Sequence, residues 1–158
     1  MPTAILNDSH CRATWRSRPG SFVSLMTLYE SNYIRLAHLL GDLQHLPDMQ
    51  VSSLEGDCPL HAEVDERSRY TTTFTLTYRF IESDVIVSDP DLQVRVYHDA
   101  RLGEALHCAR WHRHPVFSAM QVARDEATRQ LDDRWQRNIM LNKWLDYCVE
   151  RGHSFGAC

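Results

Sequence analysis

The sequence predicts an α+β fold, with an antiparallel sheet of about four strands from two hairpins and with N-terminal and C-terminal helices packed on one face. Two patterns support it: apolar residues recur every three or four positions near both ends of the chain, but alternate with polar residues in the middle. A length of 158 residues fits one domain with its own core. We expect a flexible tail over residues 1–19, one domain over 20–153 and a C-terminal tail over 154–158.

The N-terminal helix is predicted to follow Ser21, whose hydroxyl can cap the first turn, and to stop at Gly41. The spacing of its apolar residues places them on one side, which should face the core. This apolar stripe consists of Phe22, Leu25, Met26, Tyr29, Tyr33, Leu36, Leu39 and Leu40.

The C-terminal helix is predicted to begin near Asp125 or Asp132 and to end at Gly152. Trp135 and Ile139 belong to its apolar stripe, and Cys148 is predicted to be a small buried side chain. Both helices therefore need an apolar sheet face to cover.

Two hairpins are predicted to supply the sheet. Leu60 to Val64 alternate between apolar and polar types, and Tyr70 to Phe80 place threonines on one face and large apolar residues on the other. The second hairpin turns at 100–102, a register chosen because it pairs apolar residues with apolar residues. In that register Val96 faces Leu106, Val94 faces Cys108, Arg95 faces His107, Tyr97 faces Ala105 and His98 faces Glu104.

The polar face of this sheet is the preferred binding surface. Side chains fixed on rigid strands can recognise a small anionic ligand or a protein partner, and arginine offers paired donors to anions. The predicted face carries Arg69, Thr71, Thr73, Thr75, Thr77, Arg95, Tyr97 and His107. The predicted binding residues are Arg69, Tyr70, Thr71, Arg95 and Tyr97.

A second candidate site is the acid–base group His98, Asp99 and Glu104 at the mouth of the second hairpin. An imidazole held by a carboxylate can act as a general base near neutral pH. The structural alternative is a polar pair that only fixes the turn.

The tract from His107 to His114 contains an H-x-H pair, His112 and His114, of the kind that can share a zinc ion. The nearest cysteine, Cys108, would lie about 13 Å from His112 along a strand, too far to complete a tetrahedral site. Single-stranded nucleic acid could stack on Trp111 while the neighbouring arginines bind its phosphates, but a net charge of −4 disfavours this interaction. We predict neither a metal nor a cofactor.

The composition favours a cytoplasmic protein without a membrane segment. No stretch approaches the length of apolar residues that a spanning helix needs. The odd number of scattered cysteines is more typical of reduced thiols than of a secreted disulfide framework, and a homodimer is left open. The cysteines are Cys11, Cys58, Cys108, Cys148 and Cys158.

Four blocks in order resemble the YqiB-like family. They comprise the helix segment 25–40, the turn 68–72, the hairpin segment 94–100 with Glu104, and the segment 144–148 before Gly152. The resemblance implies a small bacterial cytoplasmic protein of a family whose function is unknown. Family genes tend to lie near genes of nucleotide hydrolases, so the resemblance also implies a link to nucleotide metabolism.

The sequence thus predicts a non-catalytic ligand-binding or adaptor module that uses its polar sheet face. No complete catalytic constellation is recognisable. The alternative is a small acid–base enzyme, a nucleotide-related hydrolase centred on His98, Asp99 and Glu104.

Overall fold

A computed structural model describes residues 22–108 and 129–155, with side chains from 133 onward in the second range. The predicted tail over 1–19 and the tract from 109 to 114 lie outside the described residues. The elements are α1 (Phe22–Leu40), a 3-10 turn (Leu43–His45), β1 (Met49–Ser52), β2 (Leu60–Arg67), β3 (Thr71–Glu82), β4 (Val85–Tyr97), β5 (Leu102–His107) and α2 (Arg129–Arg151).

The strands form one antiparallel sheet in the order β1-β2-β3-β4-β5, and both helices pack on one face of it. The predicted α+β class is therefore confirmed, with five strands instead of about four. The additional strand, β1, is not part of either predicted hairpin, because the acidic residues, Pro47 and Gly56 around it are typical of a surface loop.

The core lies between the sheet and the two helices. Phe74, Leu76 and Tyr78 of β3 alternate with threonines and are fully buried. Leu36 of α1 and Trp144 of α2 are buried against the same layer. The burial of large apolar side chains is the largest favourable contribution to the folding of such a domain.

The register of the second hairpin differs from the prediction. Val96 faces Gly103, because α1 packs directly against β5 at this point. A Cβ added to Gly103 would lie 2.8 Å from Leu36 Cδ1 and 3.2 Å from the backbone nitrogen of Tyr33. The predicted pairing would have placed Leu106 where there is no room for a side chain.

This three-residue shift changes every predicted pair. Arg95 faces Glu104 and not His107, and His107 pairs instead with Gln93. Val94 faces Ala105 in place of Cys108, and Tyr97 faces Leu102. Since β4 ends at Tyr97, His98 lies in the turn and has no cross-strand partner in the ladder.

Side chains of the two helices form hydrogen bonds with backbone groups on the outer edge of β5. Asn138 of α2 accepts a hydrogen bond from the backbone N–H of Ala105 at 2.8 Å, and Asn32 of α1 donates to the carbonyl of Gly103 at 3.3 Å. Asn32 also donates to Asn138 at 3.2 Å, which joins the two helices. Because an exposed strand edge can pair with another chain, hydrogen bonds from the helices protect the edge of β5. They also fix β5 beside the helices.

Candidate functional site

The predicted pair of His98 and Glu104 does not form. The Nε2 atom of His98 lies 2.8 Å from the hydroxyl of Thr72, and its backbone N–H donates to the carbonyl of Tyr70. Burial lowers the pKa of His98, so the neutral ring is favoured. This imidazole fastens the β4–β5 turn to β3, and the predicted acid–base group is not assembled as a unit.

Glu104 is held by two tyrosines from different elements. The Tyr97 hydroxyl of β4 donates to Glu104 Oε1 at 2.9 Å, and the Tyr29 hydroxyl of α1 donates to Oε2 at 3.2 Å. Burial and then the charge of Glu104 raise the pKa of Tyr29 well above its ordinary value. The pKa of Tyr97 is raised as well, by burial and by the same carboxylate. Both phenols therefore stay protonated and orient the carboxylate.

The second hairpin forms one side of a pocket of about 400 Å³. Asp99 belongs to this wall and is exposed, with Oδ1 accepting the backbone N–H of Ala100 at 3.0 Å. Tyr97, Ala100, Leu102 and Glu104 also belong to this wall. Two of the three residues of the predicted acid–base group, Asp99 and Glu104, thus share a cavity from which His98 is absent.

The helices form the rest of the pocket wall. The first two turns of α1 contribute Phe22, Leu25, Met26 and Tyr29, and α2 contributes the exposed Arg134. The predicted core position is confirmed for Leu25 and Tyr29, which are buried in a cluster with Leu28 and Trp135 and also reach the pocket wall. Phe22 was predicted to face the core as well, but it is exposed. We call this site the Glu104 pocket.

The polar sheet face is less open than predicted. Thr73 and Thr77 are only 3% and 2% exposed, so their predicted exposure is wrong. Arg95 donates to the Thr73 hydroxyl at 3.0 Å and lies 4.0 Å from Glu66. Its guanidinium is already engaged within the face, which reduces what it can offer to a ligand.

The other predicted binding residues cluster where β2 turns into β3. Arg69 and Tyr70 are exposed, with the guanidinium carbon 5.3 Å from the centre of the Tyr70 ring. The Thr71 hydroxyl bonds to that of Ser68. Thr71 pairs with Tyr97, so β3 and β4 are neighbours as the prediction required.

A second polar cluster, which the sequence did not predict, lies at the other edge of the sheet. His153 Nδ1 lies 2.9 Å from the Ser52 hydroxyl, and His153 Nε2 lies 2.9 Å from Asp57 Oδ2. Tyr78 also donates to Asp57, at 3.2 Å. Since Ser52 and His153 are a hundred residues apart, no spacing in the sequence could have indicated the contact. We call Ser52, Asp57, Tyr78 and His153 the Asp57 cluster.

The Asp57 cluster has the residue types of a hydrolytic triad but a structural geometry. The side chains of His153 and Asp57 are 0% and 6% exposed, and Ser52 is buried too. The Ser52 hydroxyl also accepts the backbone N–H of Ser154 at 3.3 Å. In a triad the serine bonds to Nε2 and the aspartate to Nδ1, the reverse of what is found here. The cluster joins the end of the described chain to β1.

The described residues offer little to metal or thiol chemistry. Within ranges 22–108 and 129–155, no group of three or more His, Cys, Asp or Glu side chains is placed to hold a metal ion. Cys148 is fully buried, as predicted, and burial raises its pKa to about 12, so its thiol stays protonated. None of the described helices is long and apolar enough to cross a membrane.

The fold and site define a small α+β domain with a ligand-sized pocket where its first helix meets its last hairpin. The chain belongs to the family described as protein of unknown function (DUF1249), which matches residues 35–154. The uncharacterized protein YqiB of Escherichia coli strain K12 is 30% identical over 131 residues, covering 83% of this chain and 90% of the relative. Its counterpart in strain O157:H7 shows the same identity and coverage. No solved structure matches. The resemblance noted from the four sequence blocks is thus confirmed.

Proposed function

We propose that this protein is a non-catalytic binding module and that the Glu104 pocket is its ligand site. One observation supports this above the others: an apolar cavity contains a carboxylate that two tyrosines hold in a fixed position. Ligand sites typically combine an apolar lining with a few oriented polar groups.

The size of the cavity suits a small molecule. Its volume of about 400 Å³ falls in the range of roughly 300–1,000 Å³ that small-molecule sites occupy. Phe22, at its wall, is 72% exposed, so a ligand bound there would bury apolar surface.

The geometry supports this pocket better than the polar sheet face. Arg95 is engaged with Thr73 and Glu66 within that face, and two of its threonines are buried. Tyr97 is the one predicted binding residue that also lines the pocket. Binding by Arg69, Tyr70 and Thr71 remains a prediction.

The geometry also favours binding over acid–base catalysis. The enzyme hypothesis required His98 to face Glu104, whereas His98 bonds to Thr72 and Glu104 faces Arg95. Within the pocket the carboxylate of Glu104 is bonded to two protonated phenols, an arrangement that positions it more than it prepares it to accept a proton.

A fragment screen by NMR tests the proposal. We expect small amphipathic fragments to shift backbone amides around Tyr29, Leu102 and Glu104. The substitution Ala100→Trp should abolish this binding, because Ala100 is an exposed turn residue and the indole would fill the cavity. The matched control, Glu55→Trp, places the same side chain at an exposed position outside the pocket.

Fragments that still bind Ala100→Trp as they bind the unaltered protein would overturn the proposal. So would fragments that shift only amides of the polar sheet face, or a pull-down partner whose binding needs Arg69 and Tyr70 and is insensitive to Ala100→Trp. Turnover of a nucleotide substrate that is lost in His98→Ala would favour the enzyme instead.

A further inference from the structure

We infer that the Glu104 pocket takes a small organic cation, an ammonium group carried on an apolar body. This inference rests on the proposed binding function and specifies its ligand class.

The carboxylate of Glu104 can accept more hydrogen bonds than it receives from the two tyrosines. An ionised carboxylate accepts about four hydrogen bonds, and the hydroxyls of Tyr29 and Tyr97 use two of those positions. The remaining positions can accept N–H donors from a ligand, and an ammonium group has only donors to offer. Because both phenols fix the carboxylate before a ligand arrives, little ordering is required on binding.

The charged side chains of the pocket wall favour a cation. The pocket wall carries two carboxylates, Asp99 and Glu104, and one guanidinium, Arg134. The ionised lining therefore sums to one negative charge. Burial is the largest cause of the raised pKa values of Tyr29 and Tyr97, and Glu104 adds to both shifts, while Arg134 opposes the first and Arg95 the second. Arg95 is engaged by Thr73 and Glu66 outside the pocket wall. A wall of net negative charge favours a cation over an anion.

The apolar side chains of the pocket wall indicate that the ligand has an apolar body. Leu25, Met26 and Leu102 give the cavity an apolar wall that an alkyl or aryl group can cover. Phe22, Tyr29 and Tyr97 add aromatic rings, which attract cations that approach their faces. A compact inorganic cation would leave this apolar wall exposed, so the wall favours an organic amine.

Three probes of similar shape test the inference: 2-phenylethylamine, the neutral 2-phenylethanol and the anionic phenylacetate. Each is titrated into the full chain at pH 7 while amide shifts are followed by NMR. We expect the amine to bind at least about tenfold more tightly than the alcohol. A hydrogen bond to a charged group contributes more binding free energy than a neutral one, and the difference corresponds to about tenfold in affinity. Phenylacetate should bind most weakly.

Two variants test which carboxylate is responsible. Glu104→Gln keeps the shape and an acceptor for a tyrosine but removes the charge, and should weaken amine binding by about tenfold. Asp99→Asn should weaken it less, because Asp99 is exposed to solvent and high dielectric. The matched control is Glu63→Gln on the polar sheet face, outside the pocket, which should leave amine affinity unchanged.

The outcomes separate the two proposals. If the three probes bind the pocket equally, or phenylacetate binds best, the cation inference is overturned while the binding function survives. If Glu104→Gln retains full amine affinity, the inference fails in the same way. If no probe or fragment shifts the pocket amides, the proposed function itself is overturned.

Discussion

The Glu104 pocket and the Asp57 cluster contain similar chemistry at opposite edges of the sheet. In each, a carboxylate accepts hydrogen bonds from side chains of separate elements, including a tyrosine hydroxyl. They differ in access. Asp57 is 6% exposed and closed in by His153 and Tyr78, whereas Glu104 opens onto a cavity beside the exposed Asp99. The buried cluster has the residue types of a catalytic triad but is closed to solvent, so of these two sites the Glu104 pocket is the one that a ligand can reach.

The two carboxylates also differ in what their neighbours do. Burial acts to raise the pKa of Asp57, but the backbone N–H of Cys58 and the side chains of His153 and Tyr78 outweigh it, and the net pKa is lowered. The donors therefore serve the stability of the fold. At Glu104 the carboxylate instead raises the pKa values of its tyrosine donors, within a wall that a ligand can reach.

The largest effect should come from breaking the Asp57 cluster. We expect His153→Ala to lower the free energy of unfolding by about 3 kcal/mol, because it leaves a buried charge short of a partner. Urea unfolding measures this. The control His61→Ala removes a half-buried imidazole from the polar sheet face and should cost less. Equal losses in the two variants would contradict a special role for the cluster.

The next effect concerns how α1 positions the pocket. Gly103→Ala should destabilise the protein by about 2 kcal/mol, because its methyl group would collide with Leu36 and crowd the backbone of Tyr33. Thermal unfolding measures this. A variant as stable as the parent would mean that α1 does not approach β5 so closely, and would favour the pairing of Val96 with Leu106.

The sequence predicted the fold class because its strongest patterns are local. The apolar stripe of Phe22 to Leu40 coincides with α1, and the alternation from Tyr70 to Phe80 lies within β3 almost completely. The start of α2 at Arg129 falls between the two predicted starts. Such patterns reflect which side of a helix or strand faces the core, and this side is determined by the spacing of apolar residues along the element itself.

The errors arose where a distant element decided the outcome. The register was misjudged because a glycine opposite Val96 makes sense only when α1 is known to lie above it. The first half of β4 is not part of either predicted hairpin, because Asp89, Pro90 and Asp91 are typical of turns. The Asp57 cluster joins positions about a hundred residues apart, and the pocket combines α1 with a hairpin. Asp99, Glu104 and Tyr97 were therefore singled out from the sequence, but the contact of Glu104 with Tyr29 of α1 was not.

A smaller effect is expected from Ser52→Ala. The variant removes one hydroxyl that bonds to His153 and to the N–H of Ser154, and should cost about 1 kcal/mol in urea unfolding. The neighbouring Ser53 is exposed, so Ser53→Ala should be neutral. A neutral Ser52→Ala would mean that the hydroxyl contributes nothing to holding the C-terminal segment.

The smallest effect should appear as a pH dependence. The pKa of Asp57 is lowered below its ordinary 3.8, so the stability it contributes is present above that pH and is lost as pH falls through the folded-state value. Asp57→Asn removes this contribution at neutral pH. The stability gap between parent and variant should therefore narrow in acid, measured by urea unfolding from pH 6 down to about pH 3. A gap that widens in acid would contradict the sign of the shift.

Titration of 2-phenylethylamine into Glu104→Gln and Asp57→Asn, both checked to be folded, compares the two sites most directly. We expect Glu104→Gln to lose about tenfold in affinity. Asp57→Asn should stay within about twofold of the parent, because the sites lie at opposite edges of the sheet and share no partner. The reverse pattern, with binding lost in Asp57→Asn and retained in Glu104→Gln, would contradict the assignment of recognition to the open site and of stability to the closed one.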